Sequence, residues 1–274
     1  MDIPYIITKE MLRRKYSNKT IKTYLFCIKK FLSKTNKEIS KISKNEIKDY
    51  LNNLNEKEVA GNTINVHLSA LKFLFEEILN KRIKLNIRYS KTPKKLPVVL
   101  TRDEVKRLFN VIDNEKHKLM LELMYSAGLR VSELLNLKVK DLELKNNYGF
   151  VRQGKGNKDR IFIIAEKLKP EIKNLIEKEN LDYENYLFNS NRDNVYNVRS
   201  LQNIIKIASK KAKLQKQISC HTLRHSFATH LIEDGCSIAE VQSLLGHKSP
   251  ETTFVYIHTA SPNMIKIKSP LDNM

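Results

Sequence analysis

The sequence predicts a mainly α protein with a small β-sheet, divided into two domains. Three observations predict it. Apolar residues recur with a helical period along most of the chain. Only residues 147–165 carry a clear strand pattern. An aperiodic, proline-bearing stretch, RYSKTPKKLPV at 88–98, separates two helical regions.

The first region reads as all helix. Residues 18–34 place Ile21, Tyr24, Leu25, Ile28, Phe31 and Leu32 on one face, with Lys22, Lys29 and Lys30 away from it. A short helix near residues 8–16 precedes it. Ser43 and Glu46 have capping-box spacing, in which each side chain takes up the other's free backbone N–H. They open a third helix through Ile47, Tyr50, Leu51 and Leu54. Residues 62–80 make a fourth, with Ile64, Leu68, Leu71, Phe73, Leu74, Phe75 and Ile78 apolar. The expected division is a helical domain at 1–88, a basic linker at 89–98 and a second domain at 99–274. Thr101 and Glu104 repeat the capping box and start the second domain's first helix. NYGFVRQ and RIFIIA flank GKGNKD as the arms of a hairpin with a longer loop. Helices follow at 168–179, 197–213, 222–234 and 238–245, with a short one from Pro250. Gly235 and Gly246 stand where helix ends take a left-handed residue.

Composition narrows the function. The chain has 274 residues, 41% of them hydrophobic, enough to bury real cores. It has no run of 18 apolar residues, and MDIPYIITKEM lacks the shape of a signal peptide. Its three cysteines, Cys27, Cys220 and Cys236, lie far apart. A cytoplasmic protein without a disulfide framework and without a membrane partner is expected. Fifty basic against 30 acidic residues leave a net charge of +20, and residues 1–90 alone hold 19 basic and 9 acidic. Both halves are therefore basic. Such a field draws polyanions, nucleic acid before anionic membrane, although solubility alone would also explain it. A basic linker between two basic domains suits a clamp around a duplex; an ordinary hinge is the plainer reading.

Four separated segments carry candidate chemistry. In AGLRVSELLNL (127–137), Arg130 follows a helix-ending glycine, and Glu133 lies on the same face three residues on. Alone, this is a surface arginine with an ion pair. In GKGNKDR (154–160), Lys155 sits at a hairpin tip between glycines that let the backbone approach a ligand; alone, this is a solvated turn. In HTLRHSFATHL (221–231), His221 and Arg224 project together from a helix start, where the helix dipole favours an anion. Cys220, His221 and His225 also allow a zinc reading. It is weak, because no CxxC occurs and the HExxH carboxylate is missing. His225 and His230 are expected to be structural. In LLGHKSPETTFVYIH (244–258), His247 follows a helix-ending glycine and Tyr256 comes nine residues later. A lone tyrosine is usually packing.

Together the segments suit a phosphodiester. Arginine forks match its non-bridging oxygens, a tyrosine hydroxyl can attack, and a lysine can protonate the leaving oxygen. In this order they resemble the tyrosine recombinase (phage integrase) family, closest to the short Xer-type recombinases, and the resemblance spans essentially the whole chain. It implies an N-terminal helical core-binding (SAM-like) domain followed by an α+β catalytic domain. It implies that Arg130 and Arg224 clamp the scissile phosphate and that Lys155 is the general acid. His221 would assist proton transfer, His247 would bond the phosphate and Glu133 would support the site. Tyr256 would be the nucleophile, forming a 3′-phosphotyrosyl bond. No metal, ATP or other cofactor is implied. The implied partners are double-stranded DNA and three further copies, as a homo-tetramer on two sites acting through a Holliday junction.

Within the family, no arm-binding domain is expected ahead of the core-binding helices. That favours resolution of chromosome dimers over a small mobile-element integrase. A type IB topoisomerase shares the chemistry but fits the length and spacing less well. A non-catalytic helix-turn-helix regulator would use 222–234 and 238–245. Its second helix, with Ile238, Val241, Leu244 and Leu245, reads as core instead of as a base-reading face. The charge has a direct consequence. The logarithm of DNA affinity is expected to fall with the logarithm of salt by roughly 0.9 per phosphate contacted. Binding titrations at several salt concentrations measure it, and a salt-independent affinity would contradict the reading.

Overall fold

Local capping opens several of the helices. Ser43 Oγ accepts from the Glu46 N–H at 3.5 Å while the Glu46 carboxylate accepts from the Ser43 N–H at 2.8 Å. Thr101 and Glu104 make the same exchange at 3.2 and 2.7 Å. A computed structural model of the chain describes residues 2–79, 85–91, 96–152, 159–190, 196–247 and 249–257, with backbone alone at 257. It divides into two units, Met1–Lys94 and Lys95–Met274.

The first unit holds α1 (Ile3–Arg13), α2 (Asn18–Thr35), α3 (Lys44–Glu56) and α4 (Gly61–Lys72), the last running on into a π-helical stretch, Phe73–Ile78. Its core gathers Ile7, Met11, Phe31, Ile47, Leu68, Leu74 and Phe75. Two expectations are corrected. The first helix begins at Ile3, not near residue 8, because the Asp2 carboxylate accepts from the Tyr5 N–H at 3.1 Å and Pro4 presets the first turn. It stops at Arg13, just before Lys15 takes a left-handed φ of 58°. The fourth helix loosens at Phe73. The wider winding narrows the arc over which Phe73, Leu74 and Phe75 spread, and all three are buried. Asn65 on α4 bonds the N–H and C=O of Ser90 at 2.7 and 3.0 Å, which keeps the chain docked on this unit as far as residue 90.

The second unit holds α5 (Arg102–Asn110), α6 (Glu115–Ala127), α7 (Val131–Leu135), β1 (Leu142–Glu143), β2 (Tyr148–Val151), β3 (Arg160–Ile163), α8 (Lys169–Lys178), α9 (Val198–Lys211), α10 (Cys220–Glu233), α11 (Ile238–Leu245) and α12 (Glu251–Ile257). Leu119, Met120, Leu121, Leu123 and Met124 of α6 are all buried, so this helix runs through the middle of the core. The sheet is antiparallel in the order β1-β2-β3. Strand β1 escaped the sequence reading because two residues are too few to show alternation. Val151 faces Arg160 across the hairpin, and the tip, residues 153–158 with Lys155, lies outside the described residues. A second small core joins Phe227 and Ala228 of α10, Val241 and Leu245 of α11 and Tyr256 of α12. Among the described residues no helix is long and apolar enough to cross a membrane.

Gly128 ends α6 in the left-handed conformation at φ 58°. A Cβ there would lie 2.5 Å from the Phe227 ring of α10. Gly128→Ala is expected to cost about 2 kcal/mol or more, from left-handed strain plus overpacking. Gly235→Ala is the control: φ is 93°, but nothing lies within 4 Å of the added Cβ, so only the backbone cost applies. Urea midpoints compare the two; equal losses would show that the Phe227 contact is immaterial.

Candidate active site

Residues spread from 128 to 256 converge in the second unit because helix ends meet there. The left-handed turn at Gly128 points the chain into α7, whose N-cap is Arg130. Glu133, in the first turn of α7, accepts from the Arg130 N–H at 2.8 Å and from its Nη1 at 2.5 Å. The motif GLRVSEL thus builds a capped helix start and an ion pair from the same two residues. The Glu133 side chain is 4% exposed and that of Arg130 is 22% exposed, so the arginine keeps an open edge.

Arg224 rises from α10 into the same place. Its guanidinium donates to the carbonyl oxygens of Gly128 at 2.5 Å and Leu245 at 2.6 Å, and stands 3.7 Å from Glu133. Those carbonyls belong to the C-terminal ends of α6 and α11, where the helix dipole is negative and stabilises a cation. Burial, and then the neighbouring Arg130, pull the Arg224 guanidinium down to about 9. It stays charged at neutral pH, in a place short of negative charge.

The sequence reading missed Arg160. This residue closes the GKGNKDR segment at the start of β3. It donates to Glu133 Oε2 at 2.7 Å and to the Leu244 carbonyl, and its side chain is 8% exposed. Burial disfavours its charge, and Glu133 opposes that effect. Burial likewise works against ionisation of Glu133, yet Arg160 and Arg130 outweigh it and hold the carboxyl below its usual range. Its place directly after the glycine-flanked lysine was the available signal.

The remaining site residues gather around Tyr256. Gly246 caps α11 at φ 61° and releases His247, whose Nδ1 lies 3.0 Å from Thr253 Oγ1. The His247 ring stacks on Tyr256, with centroids 6.1 Å apart and planes 21° apart. Burial, then Arg224 and Arg130, lower the His247 imidazole to about 4. Tyr256 is 3% exposed. Burial raises its hydroxyl above the usual value, and Arg224 and Arg130 pull it back. His225, expected to be structural, instead places Nδ1 3.0 Å from the Tyr256 hydroxyl. The signal was its position one helical turn after His221. His230 does pack structurally, against the Tyr125 hydroxyl at 2.8 Å. His221 stands in the first turn of α10 with one face open to solvent, and partial desolvation, then Arg224 and Arg130, lower its imidazole.

The structure therefore brings together Arg130, Glu133, Arg224, His247 and Tyr256, with His221 at the edge, while Lys155 lies outside the described residues. The cysteine of the zinc reading, Cys220, is buried, and burial pushes its thiol up to about 11. Among the described residues no group of three His, Cys, Asp or Glu side chains could hold a metal ion. The α11 face expected to be core is so at Val241 and Leu245. Three cations around one carboxylate, beside a buried phenol, can receive an anion and present an oxygen nucleophile to it.

Comparison with known proteins identifies the family. Residues 98–262 match the Phage integrase family, and residues 6–85 match the Phage integrase, N-terminal SAM-like domain. Tyrosine recombinase XerA of Pyrococcus horikoshii is 37% identical over 253 residues, covering 90% of this chain and 86% of its own. The crystal structure of XerA recombinase is similar at 31% identity and a TM-score of 0.57, covering 97% of this chain and 96% of its own. XerH site-specific recombinase, solved bound to difH substrate in a pre-cleavage complex, shares the fold at 23% identity and a TM-score of 0.73, covering 94% and 84%. With both halves matched and a close relative spanning nearly the whole length, the chain belongs to the phage integrase family and is an Xer-type tyrosine recombinase, a DNA-binding enzyme of site-specific strand exchange.

Proposed function

We propose that this enzyme cuts one DNA strand with Tyr256, forming a 3′-phosphotyrosyl bond and a free 5′ hydroxyl, and reseals it to a second site. The convergence of Arg130 and Arg224 on Glu133, with the stacked His247 and Tyr256 within reach of the two arginines' charge, is the observation that carries this reading. Arg130 and Arg224 hold the non-bridging oxygens of the scissile phosphate and neutralise the charge that builds on them. Glu133 holds Arg130 in the required orientation. His247 donates a hydrogen bond to the phosphate, His221 assists proton transfer at the tyrosine, and Lys155 protonates the departing 5′ oxygen. The ester conserves the energy of the broken bond, so the side chains complete the reaction without nucleotide or metal.

In this reading residues 1–88 are the core-binding domain, 89–98 the linker and 99–274 the catalytic domain. The even spread of basic charge supports a grip on duplex DNA from both domains. Two sites are exchanged by a homo-tetramer through a Holliday junction. The likeness to Xer-type relatives favours resolution of chromosome dimers in the cytoplasm as the biological role.

The nucleophile is tested directly. DNA covalently bound to the wild-type protein is recovered and sequenced, which identifies the site. A nicked duplex carrying that site then traps the adduct on a denaturing gel. Tyr256→Phe is expected to bind this duplex with unchanged affinity and to form no adduct. An undiminished adduct would remove Tyr256 from the role and turn attention to Tyr125, Tyr148, Tyr183, Tyr186 and Tyr196.

A further inference from the structure

The roles above leave unused the histidine that lies against the reacting oxygen. Nδ1 of His225 is 3.0 Å from the Tyr256 hydroxyl, and the two rings are 5.6 Å apart. His225 projects from α10, and His221, one turn earlier, has its ring 6.4 Å away. We propose that His225 is the proton acceptor of Tyr256, taking the hydroxyl proton on Nδ1 as the tyrosine attacks and returning it when the strand is resealed. The proposal rests on the reading of Tyr256 as the nucleophile.

The step balances without any added reactant. The Tyr256 oxygen forms a bond to phosphorus, and the bond from phosphorus to the 5′ oxygen breaks. The phenolic proton moves to Nδ1 of His225, while the 5′ oxygen takes its proton from the general acid. Resealing runs both transfers backwards. To accept, His225 carries its own proton on Nε2.

The surroundings decide when the transfer occurs. His221 and Arg224 share the helix with His225, Tyr256 reaches it from α12, and His247 reaches it from the turn after α11. Arg130, before α7, adds its charge to the same group of residues. Burial, then His221 and Arg224, hold His225 down to about 4, so it is neutral and able to accept at pH 7. It is also too weak a base to take a proton from a buried phenol unaided. A phosphate bound to Arg224 and Arg130 cancels positive charge beside His225 and so raises its basicity. The nucleophile is thus activated when the DNA phosphate is in place, and kept protonated when it is not.

Rates of adduct formation on the nicked duplex from pH 5.5 to 9.5 test this in wild type, His225→Gln and His221→Gln. The wild-type rate is expected to rise with pH and level off once the base is neutral. His225→Gln is expected to bind DNA normally and to lose about 100-fold at neutral pH, a typical size for a general base. Its rate should keep rising to the top of the range, because ionisation of the phenol itself becomes the only route. A fluorinated tyrosine at 256, with a more acidic hydroxyl, should recover at least 10-fold in His225→Gln and less in His221→Gln. Wild-type rates in His225→Gln would overturn the proposal. So would a loss that leaves the pH profile unchanged and that fluorotyrosine does not relieve. The tautomer in the wild-type protein gives a check that needs no variant. Nitrogen NMR of labelled histidines should show the His225 proton on Nε2, and a proton on Nδ1 would overturn the proposal. An adduct that survives Tyr256→Phe would overturn the underlying nucleophile reading instead, so the two failures are distinct.

Discussion

Glu133 stands where three guanidiniums meet, with Arg130 at 2.5 Å, Arg160 at 2.7 Å and Arg224 at 3.7 Å, and the catalytic unit is arranged around the positive charge left over. Removing a guanidinium from water costs several kcal/mol unless its charge and donors are met. One carboxylate meets part of that cost. The carbonyl ends of α6 and α11 meet more of it, through Gly128, Leu244 and Leu245. What remains is a site that is more comfortable with an anion than without one. Burial first, and neighbouring positive charge second, depress both Arg224 and His247.

The same contacts explain how Tyr256, the proposed nucleophile, is placed. Arg224 fastens the end of α6 to the end of α11, and the chain leaving α11 passes through Gly246 and His247 on its way to α12. Tyr256 then packs with Phe227, Val241 and Leu245 in the small core between α10, α11 and α12. A contact at one helix end therefore reaches the phenol through packing. Phe227 serves both purposes, since it also fills the space against Gly128.

Much of this was legible in the sequence where the determinant is local. The capping boxes at Ser43 and Thr101, the helix-ending glycines and the pairing of Arg130 with Glu133 depend on residues three or four apart. The four motifs, read together, singled out Arg130, Glu133, Lys155, His221, Arg224, His247 and Tyr256 as a candidate set, of which all but Lys155 fall among the described residues. Arg160 and His225 were not legible, because their partners are distant in sequence: Glu133 lies 27 residues from Arg160, and Tyr256 lies 31 residues from His225. A histidine beside such a motif reads as packing until the fold brings a phenol to it. The loosened winding at Phe73 and the two-residue strand β1 were hidden for another reason, since neither leaves a periodicity to detect.

Glu133 is the counterion shared by the three guanidiniums. Urea unfolding of Glu133→Gln in low salt, with and without sulfate, tests that most directly. Three guanidiniums would then share one pocket with no anion. The second unit is expected to lose about 3 kcal/mol, the cost of breaking a buried pair from one side. Sulfate should restore part of that loss, beyond the stabilisation it gives the wild type under the same conditions. A variant as stable as wild type, or one that gains no more from sulfate than wild type does, would contradict the central role given to this carboxylate.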